Sequence, residues 1–503
     1  MSTDFKGIEC IPYAPALVES MRSMGYSFSS AIADIIDNSI SAGAKRIDVY
    51  SPPKHDYERF LIILDDGCGM DESCLYEAMR YGSSNPNDVR GKNDLGRFGL
   101  GLKSASLSQC KKLTVVSKQK ENFCAYVWDI DYIIATQKWM LKKLSVEEME
   151  KLPGISKLKE NETGTYVLLQ QFDRIENSTK RFTDTFSKNL IDMKNHLALV
   201  FHRFIEPDDG SATTEIYLNN AKIEARDPFL ITNPATQSFE EQQICVPNAT
   251  GNDVIKLKAF ALPHISKLTN DDIAKLGGKD NLRNEQGFYV YRGKRLIIWA
   301  TWFRLENKDE FGKYARIRVD IPNSLDYMWK IDIKKSTASL PDSLKDTLIK
   351  VLRKAVPASQ NIVHGPVVKQ NNSDIVAVWQ RTENEERTEC KYSVNRAIPQ
   401  IKLLKATLDK EQQKMLQEVI HAIENNLPIG ALYRDVAKGT LNDREKEVEK
   451  SEIEKMWSEI QAMLCFAKDK GVSLTALCSA LKDTEPYCRY QDVKQRLEEY
   501  ENE

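Results

Sequence analysis

Residues 31–44 have the sequence AIADIIDNSISAGA, in which an apolar helical pattern carries three polar side chains at helical spacing. If residues 30–40 are helical, Asp34, Asp37 and Asn38 stand at positions i, i+3 and i+4 and share one face. A carboxylate on that face can orient or deprotonate a water, and an amide oxygen is a hard ligand suited to Mg²⁺. An amphipathic helix with a solvated polar face explains the same stretch equally well. The buried side would be formed by Ile32, Ile35, Ile36 and Ile40.

A second stretch, FLIILDDGCGM at residues 60–70, is an apolar strand that runs directly into Asp65, Asp66 and Gly67. Glycines at this point let the backbone turn tightly and let a flat ligand lie close to it. An aspartate at the end of a strand can accept a hydrogen bond from an adenine amino group. An ordinary turn is the alternative interpretation, since Asp-Asp-Gly is common in turns.

A third stretch, LGRFGLGLKSASLS at residues 95–108, places Gly96, Gly99 and Gly101 before a predicted helix. Clustered glycines at a helix start expose N–H groups that can hold phosphates, and the positive end of the helix adds to the attraction. Lys103 could add a point charge. The order of these residues differs from both the dinucleotide-binding fingerprint and the P-loop.

Helical and strand patterns alternate along residues 28–169, which predicts an α/β region. From about 205 to 340 the patterns become strand-like, with hairpins predicted at 215–225 and 287–298. A helix over 340–356 follows, and the remainder is charged and mostly helical. We therefore expect three domains, at 1–205, 206–360 and 361–503. The first contains a helix at 29–40, strands at 46–50 and 60–64, helices from about 72 and from near 99, and strands at 112–117, 123–130 and 165–170.

The composition is that of an ordinary globular protein, with 41% hydrophobic and 29% charged residues among 503 and a net charge of -2. No stretch approaches the roughly 20 apolar residues of a membrane span, and no export signal is visible, so we expect a cytoplasmic protein without a membrane contact. The ten cysteines include no CxxC pair, which argues against a zinc module and fits free thiols in a reducing compartment.

The three stretches occur in a fixed order and are followed by a Gly-Thr strand, NETGTYVLL, at residues 161–169. This arrangement resembles the GHKL ATPases, the superfamily of gyrase, Hsp90, histidine kinases and MutL. The residues in these stretches look most like those of the MORC and MutL branch, particularly the prokaryotic MORC-like proteins of restriction and phage-defence systems. The resemblance implies a Bergerat-fold ATPase domain of helices layered on a mixed sheet. A transducer domain of ribosomal S5-like fold and a helical C-terminal region would follow.

The resemblance also implies roles for individual residues. Asn38 would hold Mg²⁺, and Asp34 stands where the family usually has its general-base glutamate. Aspartate is one methylene shorter, so the water would be reached by a small helix shift, by a relay or by Asp37. Residues 82–95 would form a lid over ATP. The implied nucleotide-binding residues are Asn38, Asp37, Asp65, Gly67, Gly69, Met70, Gly96, Arg97, Phe98, Gly99, Leu100, Gly101, Lys103 and Thr165.

In the family, a transducer lysine contacts the γ-phosphate and the ATP-bound state dimerises. The candidate here lies in WKIDIKKSTASLP at residues 329–341, where Lys335 is our choice and Lys334 is the alternative. Residues 1–25 would either cross to the partner subunit of a homodimer or pack on their own domain. We expect the apolar stripe of the helix in residues 443–471 to pack within its own chain, with a partner site as the alternative.

These expectations combine into an ATP-hydrolysing dimeric clamp that acts on double-stranded DNA with companion defence proteins such as a nuclease. A basic helix carrying Lys345, Lys350, Arg353 and Lys354 could meet DNA phosphates, and a solvated surface is the alternative. An Hsp90-like chaperone and a non-hydrolysing ATP-dependent scaffold remain open as other functions. A histidine kinase is disfavoured because no phospho-acceptor helix precedes the ATP-binding region and because Asp34 accompanies Asn38, which suits attack by water.

Overall fold

The protein is divided by its internal contacts into two compact units, Met1–Gly365 and Pro366–Glu503. The predicted boundary between residues 205 and 206 lies inside the first unit. The three-domain division stays a prediction. The computed structural model describes residues 10–23, 25–52, 59–82, 101–176, 182–248, 251–325, 329, 341–363, 376–383, 390–438 and 450–502.

The first sheet of unit Met1–Gly365 has eight strands in the order β5-β4-β3-β6-β2-β1-β7-β8. It is a mixed sheet, because β1 is antiparallel to β2 and parallel to β7. The mixed α/β fold expected from the sequence is thus confirmed. The strands are β1 (Arg46–Tyr50), β2 (Phe60–Asp65), β3 (Lys112–Gln119), β4 (Asn122–Asp129), β5 (Lys142–Lys143), β6 (Thr163–Gln170), β7 (Glu215–Leu218) and β8 (Ala221–Lys222).

Helices cover this sheet, and the apolar residues of α2 are buried in the core that the helices and the sheet share. The Ser27 side chain caps its start by accepting a hydrogen bond from the backbone N–H of Ser30. α2 packs against both α4 and α9. The helices are α1 (Ala14–Arg22), α2 (Phe28–Ser41), α3 (Glu72–Met79), α4 (Gly101–Gln109), α5 (Ile130–Thr136), α6 (Val146–Glu150), α7 (Ser156–Glu160), α8 (Asp173–Glu176), α9 (Phe182–Val200) and α10 (His202–Ile205).

The hairpin predicted at 215–225 forms, but strand pairing places it on the first sheet instead of in the expected second domain. β7 pairs with β1, and both Ile216 and Ile223 are fully buried in the core of the first sheet. A hairpin pattern is local, whereas the sheet that a hairpin joins depends on a partner far away in the sequence, here Arg46–Tyr50.

The second sheet of the same unit has six strands, in the order β10-β11-β14-β12-β13 with β9 paired to β11. The helix predicted from Pro341 covers it, since Leu344, Leu348 and Val351 are buried against the strands. The elements are β9 (Gln237–Ser238), β10 (Gln242–Asn248), β11 (Gly251–Ala261), α11 (Asn270–Lys275), β12 (Gly287–Arg292), β13 (Arg295–Thr301), β14 (Ala315–Ile321) and α12 (Asp342–Val363).

The unit Pro366–Glu503 is mostly helical, as expected, and adds one two-stranded hairpin. The apolar stripe of its helix α16 packs within the chain, because Ile460 and Leu464 are fully buried against α17 and α18. No helix in the described ranges is both long and apolar enough to span a membrane. The elements are β15 (Trp379–Glu383), β16 (Cys390–Val394), α13 (Pro399–Thr407), α14 (Lys410–Asn425), α15 (Ile429–Lys438), α16 (Lys450–Asp469), α17 (Leu474–Lys482) and α18 (Gln491–Asn502).

Candidate functional site

The polar face of α2 brings together Asp34, Asp37 and Asn38 as the spacing predicts, but gives each a different environment. Asp34 is buried and accepts a hydrogen bond of 3.0 Å from the Tyr26 hydroxyl. Asp37 is buried even more completely, whereas Asn38 is exposed. Asn38 is therefore the most exposed of the three side chains.

Asp37 forms an ion pair with Arg295, the first residue of β13 in the second sheet. The guanidinium Nε donates to Asp37 Oδ1 at 2.8 Å, and the two side chains are 7% and 1% exposed. Arg295 also stacks over the Phe201 ring, with 4.4 Å between its Cζ atom and the ring centroid. Arg295 was not predicted as a site residue, because nothing in the local pattern of residues 287–298 indicates a contact with α2.

Asp65 ends β2 with a buried carboxylate that accepts three hydrogen bonds. The Ser39 hydroxyl donates to Oδ2 at 2.7 Å, and the backbone N–H groups of Gly67 and Thr165 donate to Oδ1 at 3.0 and 3.1 Å. Asp65 and Thr165 were both predicted as site residues, and the register of β2 with β6 places them opposite each other. Ser39 was missed, although its position directly after Asn38 on α2 could have suggested it.

Burial raises the pKa of the Asp65 carboxyl above its ordinary value, because the surrounding protein disfavours the charged form. The hydrogen bonds from Ser39, Gly67 and Thr165 act in the opposite direction and lower it. An acceptor held in place by several donors at the end of a strand is suited to receive one further N–H group from a ligand.

The turn after β2 packs tightly on the protein's own backbone. Gly69 has a φ of +65°, and a Cβ atom there would lie 2.1 Å from the carbonyl oxygen of Lys118 on β3. A Cβ atom on Gly67 would lie 2.9 Å from that of Ala42. The Met70 N–H donates to Ser117 Oγ at 2.8 Å, which ties the end of the turn to β3. The need for glycine here thus has a structural reason that is independent of any ligand.

Lys103 lies on α4 with its ammonium group directed at the end of α3. Its Nζ donates to the carbonyl oxygens of Ala78 and Arg80, each at 2.8 Å. Burial lowers the pKa of this ammonium to about 8. These two carbonyl oxygens take two of the three N–H donors of the ammonium group. Gly101 opens α4, and a Cβ atom there would meet open space.

Residues 26–165, which contain most of these contacts, match the family described as histidine kinase-, DNA gyrase B-, and HSP90-like ATPase. This segment is a GHKL domain. The chain is also 36% identical over 94 residues to ATPase MORC2B of Mus musculus, which is 18% of this chain and 9% of that protein. The resemblance to the GHKL superfamily is thereby confirmed at the level of this domain.

Two further relatives match segments of similar length. ATPase MORC2 of Homo sapiens is 33% identical over 93 residues, or 18% of this chain and 9% of that protein. DNA mismatch repair protein MutL of Buchnera aphidicola is 32% identical over 96 residues, or 19% of this chain and 16% of that protein. The matched segment therefore spans less than a fifth of the length of these relatives. The expected likeness to the MORC and MutL branch is confirmed.

One solved structure, described as the N-terminal domain of a DNA repair protein, aligns with 69% of this chain and 98% of that chain. The sequence identity is 15% and the TM-score is 0.42.

Several predicted site residues of the GHKL domain and of the region after it lie outside the described residues. They include most of the expected lid at 82–95, of which Gly82 is described. Their roles stay predictions. The individual residues concerned are Gly96, Arg97, Phe98, Gly99, Leu100, Lys334 and Lys335.

Asp34 of the GHKL domain faces a cleft of about 560 Å³ between the start of α2, helix α9 and strand β13. Arg295, His196 and Trp299 line its other side. No group of three or more His, Cys, Asp or Glu side chains within the described ranges is arranged to hold a metal ion. The binding of Mg²⁺ by the Asn38 amide stays a prediction.

Proposed function

We propose that the GHKL domain binds ATP with Mg²⁺ and hydrolyses it. The observation that carries this proposal is the Asp65 carboxylate, which is buried, held by three donors and joined through Ser39 to α2. The same helix presents Asp34 and Asn38. An acceptor for the adenine amino group, a hard ligand for Mg²⁺ and a carboxylate for water activation thus meet at a single helix.

In this proposal each residue of α2 has a separate task. Asn38 ligates Mg²⁺ through its amide oxygen, and the ion neutralises charge on the phosphates. Asp34 accepts a proton from the attacking water, and the Tyr26 hydroxyl holds one of its carboxylate oxygens in place. The backbone of Gly96, Gly99 and Gly101 binds the phosphates, and Gly67, Gly69, Met70 and Thr165 support the adenine end.

We further propose that the second sheet is a transducer and that Lys335, or Lys334, contacts the γ-phosphate from it. Because such a contact exists only before hydrolysis, it would hold the chain in one arrangement that hydrolysis releases. ATP would then control a homodimeric clamp. Helix α1 packs on its own domain, since Ala14 and Val18 are buried in the core of the first sheet. Any crossing segment would therefore precede α1.

Double-stranded DNA is the partner that we propose for this clamp, within a restriction or anti-phage system that includes companion proteins such as a nuclease. Helix α12 supports it with four exposed cationic residues on the side away from its buried stripe, and one relative is named as a DNA mismatch repair protein. Free thiols among the described cysteines fit the cytoplasm. The cationic residues are Lys345, Lys350, Arg353 and Lys354.

A nucleotide-binding scaffold that does not hydrolyse ATP is the second candidate. It is favoured by the shorter side chain of Asp34, which also shares a hydrogen bond with Tyr26. Both candidate functions include ATP binding, and only a measurement of ATP hydrolysis distinguishes them. An Hsp90-like chaperone would differ in binding unfolded clients without a response to DNA.

Nucleotide affinity measured by isothermal titration calorimetry tests the site. Asp65→Asn replaces an acceptor by a group that also donates, so we expect a loss of ATP affinity of about tenfold to a hundredfold and a smaller effect on GTP. Asp66→Asn is the matched control, because the Asp66 carboxylate accepts hydrogen bonds from the backbone N–H groups of Lys45 and Arg46, which are not among the proposed site residues. Equal losses in both variants, or none in Asp65→Asn, would contradict the assignment.

A further inference from the structure

An ion pair that the proposed chemistry does not use joins the second sheet to helix α2 of the GHKL domain. Arg295 begins β13, and Asp37 lies in the middle of α2. Their atoms Nε and Oδ1 are 2.8 Å apart, and both side chains are almost completely buried. A buried ion pair often contributes little net stability compared with apolar side chains of similar size. A role in stability alone therefore does not explain this pair.

Two contacts beside the ion pair fix the orientation of the Arg295 guanidinium group. Its Nη1 donates to the carbonyl oxygen of Leu296 at 2.7 Å, and its guanidinium lies over the ring of Phe201, directly after α9. Helix α9 in turn contacts both α2 and β13. A planar guanidinium constrained on several sides transmits its position to the carboxylate that it binds.

Asp37 stands between the two residues to which the proposed reaction assigns chemistry. Asn38 follows it directly, and Asp34 precedes it by about one helical turn. A helix is stiff over this distance, so a displacement at Asp37 displaces Asp34 and Asn38 with it. The position of α2 matters more here than with a glutamate at residue 34, because the shorter aspartate leaves less reach toward a water.

We propose that Arg295 is a positioning residue of the ATPase, which orients α2 through Asp37 and makes the Asp34–Asn38 face depend on the placement of the β12-β13 hairpin. This inference rests on the proposed hydrolysis of ATP. We assign Arg295 no contact with the nucleotide or with the attacking water. Its effect on turnover passes through the orientation of the helix.

The test compares Arg295→Met, Asp37→Asn and the double variant in the full chain. Steady-state kinetics give kcat and KM for ATP, calorimetry gives ATP affinity, and thermal unfolding gives Tm. Each single variant removes the ion pair between these two buried side chains and keeps one of the charges buried, so both should lower Tm, and the double variant should restore much of it. We expect kcat to fall by about thirtyfold to a hundredfold in all three, since small displacements of reacting groups have effects of this size. ATP affinity should change by less than about threefold.

Two further variants separate positioning from a general loss of stability. Arg295→Lys keeps the charge that faces Asp37 and should recover part of kcat. Arg226→Met is the matched control, because Arg226 forms a comparable ion pair of 2.6 Å with Glu285 away from α2. It should lower Tm and leave kcat unchanged.

The outcomes distinguish this inference from the proposed function. If kcat returns together with Tm in the double variant, or if Arg226→Met lowers kcat equally, Arg295 has only a structural role. If a single variant does not fold, the double variant decides alone. If the unaltered chain binds ATP without hydrolysing it, both the ATPase proposal and the positioning role are overturned.

Discussion

Asp65 illustrates how a site residue is built from neighbours that are far apart in the sequence. Its three donors come from α2, from the turn after β2 and from β6, and they converge on one carboxylate. The sequence pointed to Asp65 through its place at the end of a strand, and the family resemblance pointed to Thr165, but neither predicted the hydrogen bond between them. The sequence did not predict Ser39, whose hydroxyl gains its importance only from the packing of α2 on β2.

Replacement of Ser39 by alanine tests this arrangement. Loss of the hydroxyl removes the hydrogen bond to Asp65 Oδ2 and raises the pKa of that carboxyl further. A hydrogen bond to a charged group contributes about 1.5–3 kcal/mol, so we expect ATP affinity to fall by at least about tenfold. Ser108→Ala is the control, because this buried serine donates to the carbonyl oxygen of Ala105 instead. An unchanged affinity in Ser39→Ala would remove Ser39 from the site.

His202 gives the molecule a predictable response to acid. It is buried, shares a hydrogen bond of 2.7 Å with the Tyr291 hydroxyl, and burial lowers its pKa to about 3. Between that value and about 6.5 the unfolded chain binds a proton that the folded chain does not, so stability falls as pH falls through this window. This histidine should account for about 2 kcal/mol of lost unfolding free energy between pH 7 and pH 5.

Urea unfolding of the unaltered chain and of His202→Gln at the two pH values measures this contribution. The variant should be less stable at pH 7 because the contact with Tyr291 changes, but its loss between pH 7 and pH 5 should be smaller by about 2 kcal/mol. An equal loss in the two proteins would show that His202 does not resist protonation in the folded state.

At the scale of elements, periodicity predicted helices and strands well where each buries one continuous face. The predicted 29–40 helix became Phe28–Ser41, and the predicted 46–50 strand has the same bounds in the structure. The polar face of α2 was predicted from spacing alone. Its division into a paired Asp37 and an exposed Asn38 was not, because that division comes from Arg295, which is 258 residues away from Asp37.

Helix α12 carries the prediction about DNA. Its exposed cations would neutralise phosphates, so replacing Lys345, Lys350, Arg353 and Lys354 by glutamine should weaken binding to double-stranded DNA. In a plot of the logarithm of affinity against the logarithm of salt concentration, the slope should become less steep by roughly 0.9 for each phosphate contact removed. Exposed Lys138 and Lys151, replaced together, provide the control. An unchanged salt dependence in the α12 variant would leave the basic face without a role in DNA binding.

At the scale of the whole molecule, the two sheets of unit Met1–Gly365 connect the proposed nucleotide site to the proposed transducer. The first sheet and α2 hold Asp65, Asp34 and Asn38, and the second sheet supplies Arg295. A molecule organised in this way can convert a change at the nucleotide into a change between the sheets. That conversion depends on hydrolysis, for which the side chain of Asp34 has less reach toward a water than a glutamate side chain would have.

Steady-state ATP hydrolysis with Mg²⁺ therefore tests whether Asp34 supports turnover. The measurement compares the unaltered chain and Asp34→Asn, each in the presence and in the absence of double-stranded DNA. We expect turnover to fall by a factor of about a hundred or more in Asp34→Asn, with ATP affinity retained, and to rise with DNA. Tight ATP binding without turnover in either protein would contradict the proposed hydrolysis and leave a nucleotide-dependent scaffold.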